Sequence, residues 1–308
     1  MVDVAIAQEL EQQLGPEGGE VYKQGSLAQL VVRTFTKNKL AVAGVVIVVL
    51  MVLFCFVGPL VYHTNQVYTD IINSNEPPSG AHPLGTDNNG YDILGRLMVG
   101  GQSSIEIGLA VAFAATFFGV VYGAVSGYFG KIVDAVMMRI VDVLLAIPVV
   151  FLFIYVATTL TPNGSPTWLL IVVLAGLSWL GPARLVRGET LSLRTREYVS
   201  AVKVMGGRSR RIVLRHIIPN AIGTIIVNAT FQVADAILVL AVLQFLGFSL
   251  PPPTATWGQM LSQGSQFLAD GYWWEVYPAL VAIILVVVAF NFIGDALRDS
   301  FEVRLQER

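Results

Sequence analysis

Six long apolar stretches set the strongest limit on how this chain can fold. They cover residues 40–62, 104–127, 133–157, 167–183, 220–246 and 276–296. A helix needs about 20 mostly apolar residues to cross the hydrocarbon of a bilayer, and a spanning helix satisfies its backbone hydrogen bonds internally. We therefore predict an all-α polytopic membrane protein with six transmembrane helices.

The composition agrees with a protein whose main solvent is lipid. Apolar residues make up 55% of the 308 residues, charged residues only 13%, and the mean hydropathy is +0.67. A soluble domain carries about 25% charged residues, so this chain has too few charges to cover a soluble surface. The net charge of −2 argues against nucleic acid as a partner, and a single cysteine, Cys55, excludes a disulfide framework and a cysteine metal site. We expect no metal and no cofactor.

The lysine and arginine residues predict the orientation. With both termini in the cytosol, all of them except Arg96 lie in cytosolic segments or at the adjoining ends of spans. The first 26 residues are polar and acidic, unlike a secretory signal, so we expect an uncleaved first span. The predicted segments are a flexible cytosolic tail (1–32), a first span with a basic flank (33–62), an external segment (63–103), a membrane core (104–298) containing a cytosolic loop (184–219) and an external segment (247–275), and a cytosolic C-terminal tail (299–308).

The predicted cytosolic loop between spans four and five has a pattern of its own. Its helical spacing of apolar side chains lines one face of a helix, formed by Tyr198, Ala201, Val202 and Met205. Thr195 is placed to cap the start of this helix. Positive-inside bias alone explains arginines here, but it does not explain an apolar face in water. A small apolar face rimmed by charge is typical of a docking site, and we expect a cytosolic protein partner.

The same loop contains signals for a helix end and a second helix. Gly206 and Gly207 can end the first helix, because glycine accepts left-handed backbone geometry. Ser209 is placed to cap a second, basic helix, which we expect to stop before Pro219 because proline breaks a helix interior.

This spacing resembles the EAA loop of ABC importer permeases, in which E-A-A, three residues, G, nine residues and I-x-L-P follow one another. Ser200-Ala201-Val202 stands at the E-A-A positions, Gly206 at the glycine and His216-x-Ile218-Pro219 at the end. The wider stretch EYVSAVKVMGGRSRRIVLRHIIPN (197–220) is similar to the dipeptide/oligopeptide branch. Three more blocks carry the resemblance: HPLGTDNNGYDILGRLMVGGQSS (82–104), SLPPPTATWGQML (249–261) and NFIGDALRDSFEVRL (291–305).

The resemblance implies a permease subunit of the bacterial inner (plasma) membrane, with a type I importer-like fold. Its partners would be a second, similar permease (a heterodimer), two cytosolic ATP-binding subunits and an external substrate-binding protein. The chain contains no G-x-x-x-x-G-K-[ST] phosphate loop, so ATP hydrolysis is expected in the partners and this subunit is not expected to be an enzyme. Short peptides are the implied cargo, with nickel complexes or haem as alternatives.

Two sets of contact residues follow from the resemblance. The implied ATPase-coupling residues are Glu197, Tyr198, Ser200, Ala201, Val202, Met205, Gly206, Gly207, Arg211, His216 and Pro219. The candidates for docking the binding protein are His82, Asp87, Tyr91, Asp92, Arg96 and Trp257.

The sequence also departs from the family pattern. Ser200 replaces the first glutamate of E-A-A, although Glu197 lies one turn earlier. Tyr91, Gly95 and Gln102 stand where the family usually has Arg, Ser and Arg, and Leu240 stands where many relatives have a glutamate.

Polar residues inside the apolar stretches are candidates for the wall of a translocation path, since intramembrane charge usually faces a cavity or a partner. Asn228, Gln232 and Asp235 share one stripe of a helix. Polar contacts between packed helices are the alternative, and we favour that alternative for Arg139 and Asp142, whose spacing lets them pair with each other.

Two other functions compete with the importer. An ion-coupled secondary carrier could use Asp235 or Asp142 as its proton site. An intramembrane hydrolase is poorly supported, because GLSWLG (176–181) does not have the G-x-S-x-G spacing and no H-E-x-x-H occurs.

Overall fold

A computed structural model describes residues 27–160, 167–248, 250 and 254–306. This part of the chain is largely helical, and its only β pairing is an isolated bridge between Thr86 and Asp92. Most of the predicted N-terminal tail and the turn at 161–166 lie outside the described residues. The helices are α1 (Leu27–Lys37), α2 (Lys39–Phe56), α3 (Gly58–Val61), α4 (Ile93–Phe129), α5 (Lys131–Ala146), α6 (Val149–Leu160), α7 (Thr167–Ser178), α8 (Leu180–Leu193), α9 (Glu197–Val204), α10 (Ser209–Ile212), α11 (Ile218–Phe245), α12 (Trp257–Ser265) and α13 (Tyr277–Gln306), with single 3₁₀ turns at Ile71–Asn73, Leu268–Asp270 and Trp273–Glu275.

Length and apolar composition identify the helices that can cross a membrane. Four continuous segments qualify, at Lys39–Val61, Ile93–Phe129, Ser209–Phe245 and Trp273–Phe301. Two bent helix pairs, α5 with α6 and α7 with α8, bring the total to six if each pair is one span. The prediction of an all-α polytopic membrane protein is therefore confirmed.

The third and fourth spans are broken rather than straight. Between α5 and α6 the axis bends by 87°, at Ile147 and Pro148. A bend at Pro148 is expected, because proline disfavours helical geometry in the residue before it and cannot donate a backbone hydrogen bond. Between α7 and α8 the axis bends by 42° at Trp179. Helix α8 continues after the bend to Leu193, well into the segment expected to be a loop (184–219).

Helix α4 begins eleven residues before the predicted second span, at Ile93 rather than residue 104. The Asp92 side chain caps its start by accepting a 2.8 Å hydrogen bond from the Gly95 N–H. The added residues include Arg96 and several glycines, which lower the local hydropathy. They are mostly buried against protein, so their polarity does not stop the helix from forming.

The fifth span is longer than predicted because Pro219 does not end the preceding helix. Residues Val213–Ile217 form a π-helical turn, in which the Ile218 N–H donates to the Val213 carbonyl five residues earlier. This wider turn accommodates Pro219, which has no backbone N–H to donate and whose ring would clash inside a regular α-helix. Ser209–Phe245 is therefore one helical segment of 37 residues, and Ser209 is its first residue rather than its N-cap, which is Arg208.

Helix α4 packs most extensively against α8, through a row of glycines. Gly119, Gly123 and Gly127 recur every fourth residue and face α8. A Cβ atom on Gly123 would lie 2.4 Å from the Ala183 carbonyl oxygen, so only glycine permits this approach. Small residues at this spacing are a common device for packing membrane helices.

The remaining helices surround α4 and close the core. Helix α13 packs against α2, α11 and the short α1. Because α1 begins at Leu27, the last residues of the predicted tail are helical. One buried cluster joins α2, α4, α11, α12 and α13 around Trp257, and a second joins α4, α6, α7 and α11 around Phe153.

Candidate functional site

The short helix α9 stands on a small apolar base of its own. Val199, Ile212 and Ile217 are buried together, with Tyr128 and Leu193 packed around them. This base fixes α9 against the π-helical turn and against the end of α4. Val199 was not among the predicted site residues, because its position between two candidate face residues gave it no separate signal.

The outward side of α9 presents apolar side chains to solvent. Met205 is 77% exposed, while Tyr198 and Ala201 are also exposed and Val202 is half-buried against the base. Val204, which the helical spacing omitted, is 88% exposed. An unpartnered apolar surface of this kind on a short loop helix can bind another protein.

The glycine elbow is present in the predicted place. Gly206 has a left-handed backbone, with φ of 81°. Its N–H donates to the Lys203 carbonyl, and the Gly207 N–H donates to the Val202 carbonyl, at 3.1 Å and 2.9 Å. This pair of bonds is the Schellman motif that ends many helices. The predicted cap at the other end is wrong, since Arg196 is the N-cap and the Thr195 hydroxyl donates to the Ser192 carbonyl instead.

The other predicted coupling residues lie on the same part of the surface. Glu197, Ser200, Arg211 and Pro219 are exposed, and His216 is partly buried in the π-helical turn. The His216 carbonyl accepts a 2.6 Å hydrogen bond from the Asn220 side chain. The structure thus brings the predicted set together around α9, α10 and the start of α11.

A hydrogen-bonded network ties α8, just before α9, to the neighbouring helices. Arg187 of α8 donates two bonds of 2.5 Å to Asp134 of α5, which also accepts from Ser126 of α4. Arg194 donates to the Gly127 carbonyl at 2.8 Å. These contacts were not predicted, because residues in different spans give no sequence signal of their proximity.

Among the intramembrane polar residues, the predicted pairing of Arg139 with Asp142 is wrong. Asp142 forms an ion pair with Arg184 of α8, and Arg139 is exposed. A small apolar contact of α8 with α5, in which Leu180 meets Met138 and Val141, places Arg184 within reach of Asp142. Sequence spacing within one helix cannot reveal this contact. The Asp142–Arg184 pair joins α5 to α8. It is a polar contact between packed helices, the interpretation favoured above for Asp142.

The polar stripe of α11 divides into an inward and an outward part. Gln232 is buried and donates to the Ser178 carbonyl at 3.3 Å, where α7 meets α8. The Asn228 side-chain oxygen is buried without a partner in the described part of the chain. Asp235 is exposed on the outside of the subunit. Leu240, the departure from the family glutamate, is buried and does not line this surface.

Asp92 organises the segment that precedes α4. Besides capping the helix, its carboxylate contacts His82 Nδ1 and accepts a hydrogen bond from the Tyr62 hydroxyl, both at 2.9 Å. Burial and this bond to a carboxylate raise the pKa of Tyr62 to about 12. Asp92 is buried, so it holds the segment together rather than offering a surface to a partner.

Asp87, Tyr91 and Arg96 form a second buried group nearby. Arg96 Nε lies 3.4 Å from Asp87, and its guanidinium stacks over the Tyr91 ring at 4.4 Å. Burial raises the pKa of Asp87, while Arg96 and the backbone N–H groups of Tyr91 and Asn89 oppose the shift. Trp257 is fully buried and donates to the Leu97 carbonyl at 3.0 Å. These predicted docking residues lie mainly beneath the surface.

No metal set is formed among the described residues, since no three His, Cys, Asp or Glu side chains come close enough together.

Comparison with known proteins identifies the family. A family model described as the binding-protein-dependent transport system inner membrane component matches residues 119–307. The chain belongs to this family. A second model, the N-terminal transmembrane domain of oligopeptide transport permease C, matches residues 26–78 of the permease. The permease is thus a multi-pass inner-membrane protein, and the family resemblance seen in its sequence is confirmed.

Individual relatives match the permease over nearly its whole length. The oligopeptide transport system permease protein OppC of Bacillus subtilis is 38% identical over 273 residues, which are 89% of this chain and 88% of that protein. The dipeptide transport system permease protein DppC of the same organism is 36% identical over 274 residues, 89% and 85% of the two chains. OppC of Mycobacterium bovis is 37% identical over 273 residues, 89% and 93% of the two chains.

Proposed function

We propose that this permease forms half of the translocation pathway of an ATP-driven ABC importer for short peptides, delivered by an external substrate-binding protein. The observation that carries the proposal is the exposed apolar face of α9, held on a fixed base in a chain whose relatives are oligopeptide and dipeptide permeases. Both termini lie in the cytosol in this proposal, so α9 faces the ATP-binding subunits. A second, similar permease completes the pathway.

The contacts around α9 support a role in coupling. Its base attaches it to α11 and to the end of α4, and the Arg187 and Arg194 network attaches the preceding helix to α4 and α5. A force applied to α9 by a moving ATPase therefore acts on several spans at once. Residues Asn228, Gln232 and Asp235 of α11 remain our candidates for the pathway wall.

The test is co-purification of the ATP-binding subunits with the tagged permease. Met205→Asp places a charge in the apolar face, and we expect at least a tenfold loss of bound ATPase because an unpaired charge would be buried at the interface. Ser192→Asp introduces the same group at an exposed position of α8 outside the face and serves as the control.

The proposal predicts normal membrane insertion and thermal stability for both variants, with ATPase loss confined to Met205→Asp. Equal retention of the ATPase by the two variants would contradict a docking role for this face.

Peptide cargo is the part of the proposal that rests on the relatives. Binding of peptides of several lengths, nickel complexes and haem to the partner binding protein separates the alternatives directly. We expect short peptides to bind, and exclusive binding of nickel or haem would move the permease to another cargo within the same importer class.

The ion-coupled carrier finds less support. Asp142, one of its two candidate proton sites, is ion-paired with Arg184, and the family is defined by binding-protein-dependent transport. We expect uptake to stop on ATP depletion. Uptake that continues after ATP depletion but is abolished by an uncoupler would favour the carrier.

A further inference from the structure

A small cavity lies where the segment before α4, helix α12 and the turn before α13 meet. It is large enough for about one water molecule and opens partly to solvent. Its polar lining consists of Asp87, Arg96, Gln263 and Glu275. Glu275 is not among the coupling residues, the candidate pathway residues or the predicted docking residues, so the function proposed above gives it no role.

Glu275 is the unusual member of this group. Only 3% of the residue is exposed, and neither carboxylate oxygen has a hydrogen-bond partner in the described part of the chain. The residue is held firmly in place, because Gly264 of α12 packs directly on its backbone. The adjacent Trp274 is buried and donates a 3.3 Å hydrogen bond to the Thr86 carbonyl. The backbone of Glu275 is therefore held between α12 and the segment before α4.

The charges around Glu275 do not compensate a negative charge on it. Among the described residues, Arg96 is the one cation lining the cavity, and it is already paired with Asp87. Helix α12 contributes only uncharged side chains, including Gln263, and Asp270 in the preceding turn is exposed. The segment before α4 also carries Asp70, Glu76, His82 and Asp92, but among the described residues these four are not part of the cavity lining. The phenols of Tyr91, Tyr272 and Tyr277 are the remaining titratable groups near the three elements that meet there.

An ionised Glu275 would thus add a second carboxylate charge next to Asp87 in a place nearly shielded from water. A buried carboxylate without donors or a counter-ion is strongly unfavourable, and taking up a proton removes the cost. A metal ion is a poor alternative occupant, since Arg96 repels it and no third ligand of the usual kind joins Asp87 and Glu275 among the described residues.

We propose that Glu275 is a proton-binding site, at which a proton held in the cavity beside the Asp87–Arg96 pair keeps α12 packed against the start of α13. Release of the proton leaves Glu275 and Asp87 as like charges across this contact, and their repulsion loosens it. Because the folded state holds the proton more tightly than the unfolded chain, the stabilisation is complete at low pH and is lost as the pH rises.

Infrared spectroscopy tests the protonation itself. For the full chain in lipid nanodiscs, the difference spectrum between acidic and alkaline buffer should contain the carbonyl band of a buried protonated carboxyl. We expect Glu275→Gln to lose this band and Asp270→Asn, which alters an exposed carboxylate, to keep it. A band of equal size in Glu275→Gln, or no such band in the unaltered chain, overturns the proposal.

Thermal unfolding between about pH 5 and pH 9 tests the consequence. We expect the unfolding temperature of the unaltered chain to fall with rising pH, and that of Glu275→Gln to change much less. Parallel pH profiles overturn the proposal. So does recovery of the alkaline unfolding temperature by sodium, potassium or calcium in the unaltered chain but not in Glu275→Gln, since that result would identify a cation site.

Discussion

Two glycines determine local backbone geometry: Gly206 ends α9 with a left-handed backbone, and Gly123 lets α4 approach the backbone of α8. The elbow at Gly206 could be predicted, because a left-handed helix end has few other solutions. Gly119, Gly123 and Gly127 carry an equally plain four-residue repeat, but the repeat does not say which helix packs on it. The partner of Asp142 was mispredicted for the same reason, since Arg184 comes from another span.

The glycine row of α4 leads to a stability prediction. In Gly123→Ala the new Cβ would meet the Ala183 carbonyl oxygen and the Arg187 N, at 2.4 Å and 2.8 Å. Both atoms belong to the backbone and cannot rotate away. We therefore expect the free energy of unfolding to fall by about 1–3 kcal/mol, the usual cost of overpacking.

The measurement is thermal or denaturant unfolding of the purified proteins in nanodiscs. Gly188→Ala on α8 is the matched control, because a Cβ there meets no atom within 4 Å. The higher helix propensity of alanine should stabilise this control by up to about 1 kcal/mol. A Gly123→Ala protein as stable as the control would contradict the close approach of α4 and α8.

The helices themselves were predictable in number and kind but not in their ends and breaks. Hydropathy located every spanning region, yet it placed the start of α4 too late because buried glycines and Arg96 are read as polar. It also missed the bend at Trp179 and the π-helical turn before Pro219. Hydropathy averages over a window, whereas each of these features depends on one or two backbone hydrogen bonds.

Arg194 provides a prediction about coupling between helices. Arg194 lies three residues before the start of α9. Its guanidinium donates a hydrogen bond to the Gly127 carbonyl near the end of α4. Arg194→Gln shortens the donor and removes its charge, so we expect α9 to remain able to bind the ATPase but to transmit its movement poorly.

The expected result is a several-fold fall in peptide uptake per ATP hydrolysed, with unchanged ATPase co-purification. Arg196→Gln is the control, since Arg196 is exposed and its side chain does not cap α9. If both variants transport normally, Arg194 has only a structural role.

The fold class of the whole molecule followed from composition, because lipid leaves so few structures for a chain of this hydropathy. The orientation rests on the positions of lysine and arginine and stays a prediction. The approach of Glu275 to Asp87 and Arg96 was beyond sequence reasoning, since Glu275 lies far from both in the chain and adjoins two tryptophans that suggest only a membrane interface.

Cysteine labelling tests the orientation. In a Cys55→Ala background, Ile72→Cys places a thiol at a position that is 93% exposed before α4, and Ser192→Cys places one at the exposed end of α8. With both termini in the cytosol, a membrane-impermeant maleimide should label Ile72→Cys in intact cells and Ser192→Cys only after permeabilisation. The reverse pattern would place α9 outside and exclude its contact with a cytosolic ATPase.

The π-helical turn at Val213–Ile217 also has a geometric consequence. Because Pro219 does not interrupt the helix, Ser209–Phe245 has 37 residues without a hinge of the kind found in the two bent spans. At 1.5 Å per residue this rod is about 55 Å long. A tilt of about 10° around its middle would move each end by about 5 Å in opposite directions. A small displacement at one membrane face would thus become an equal and opposite displacement at the other, with no relay of intermediate contacts.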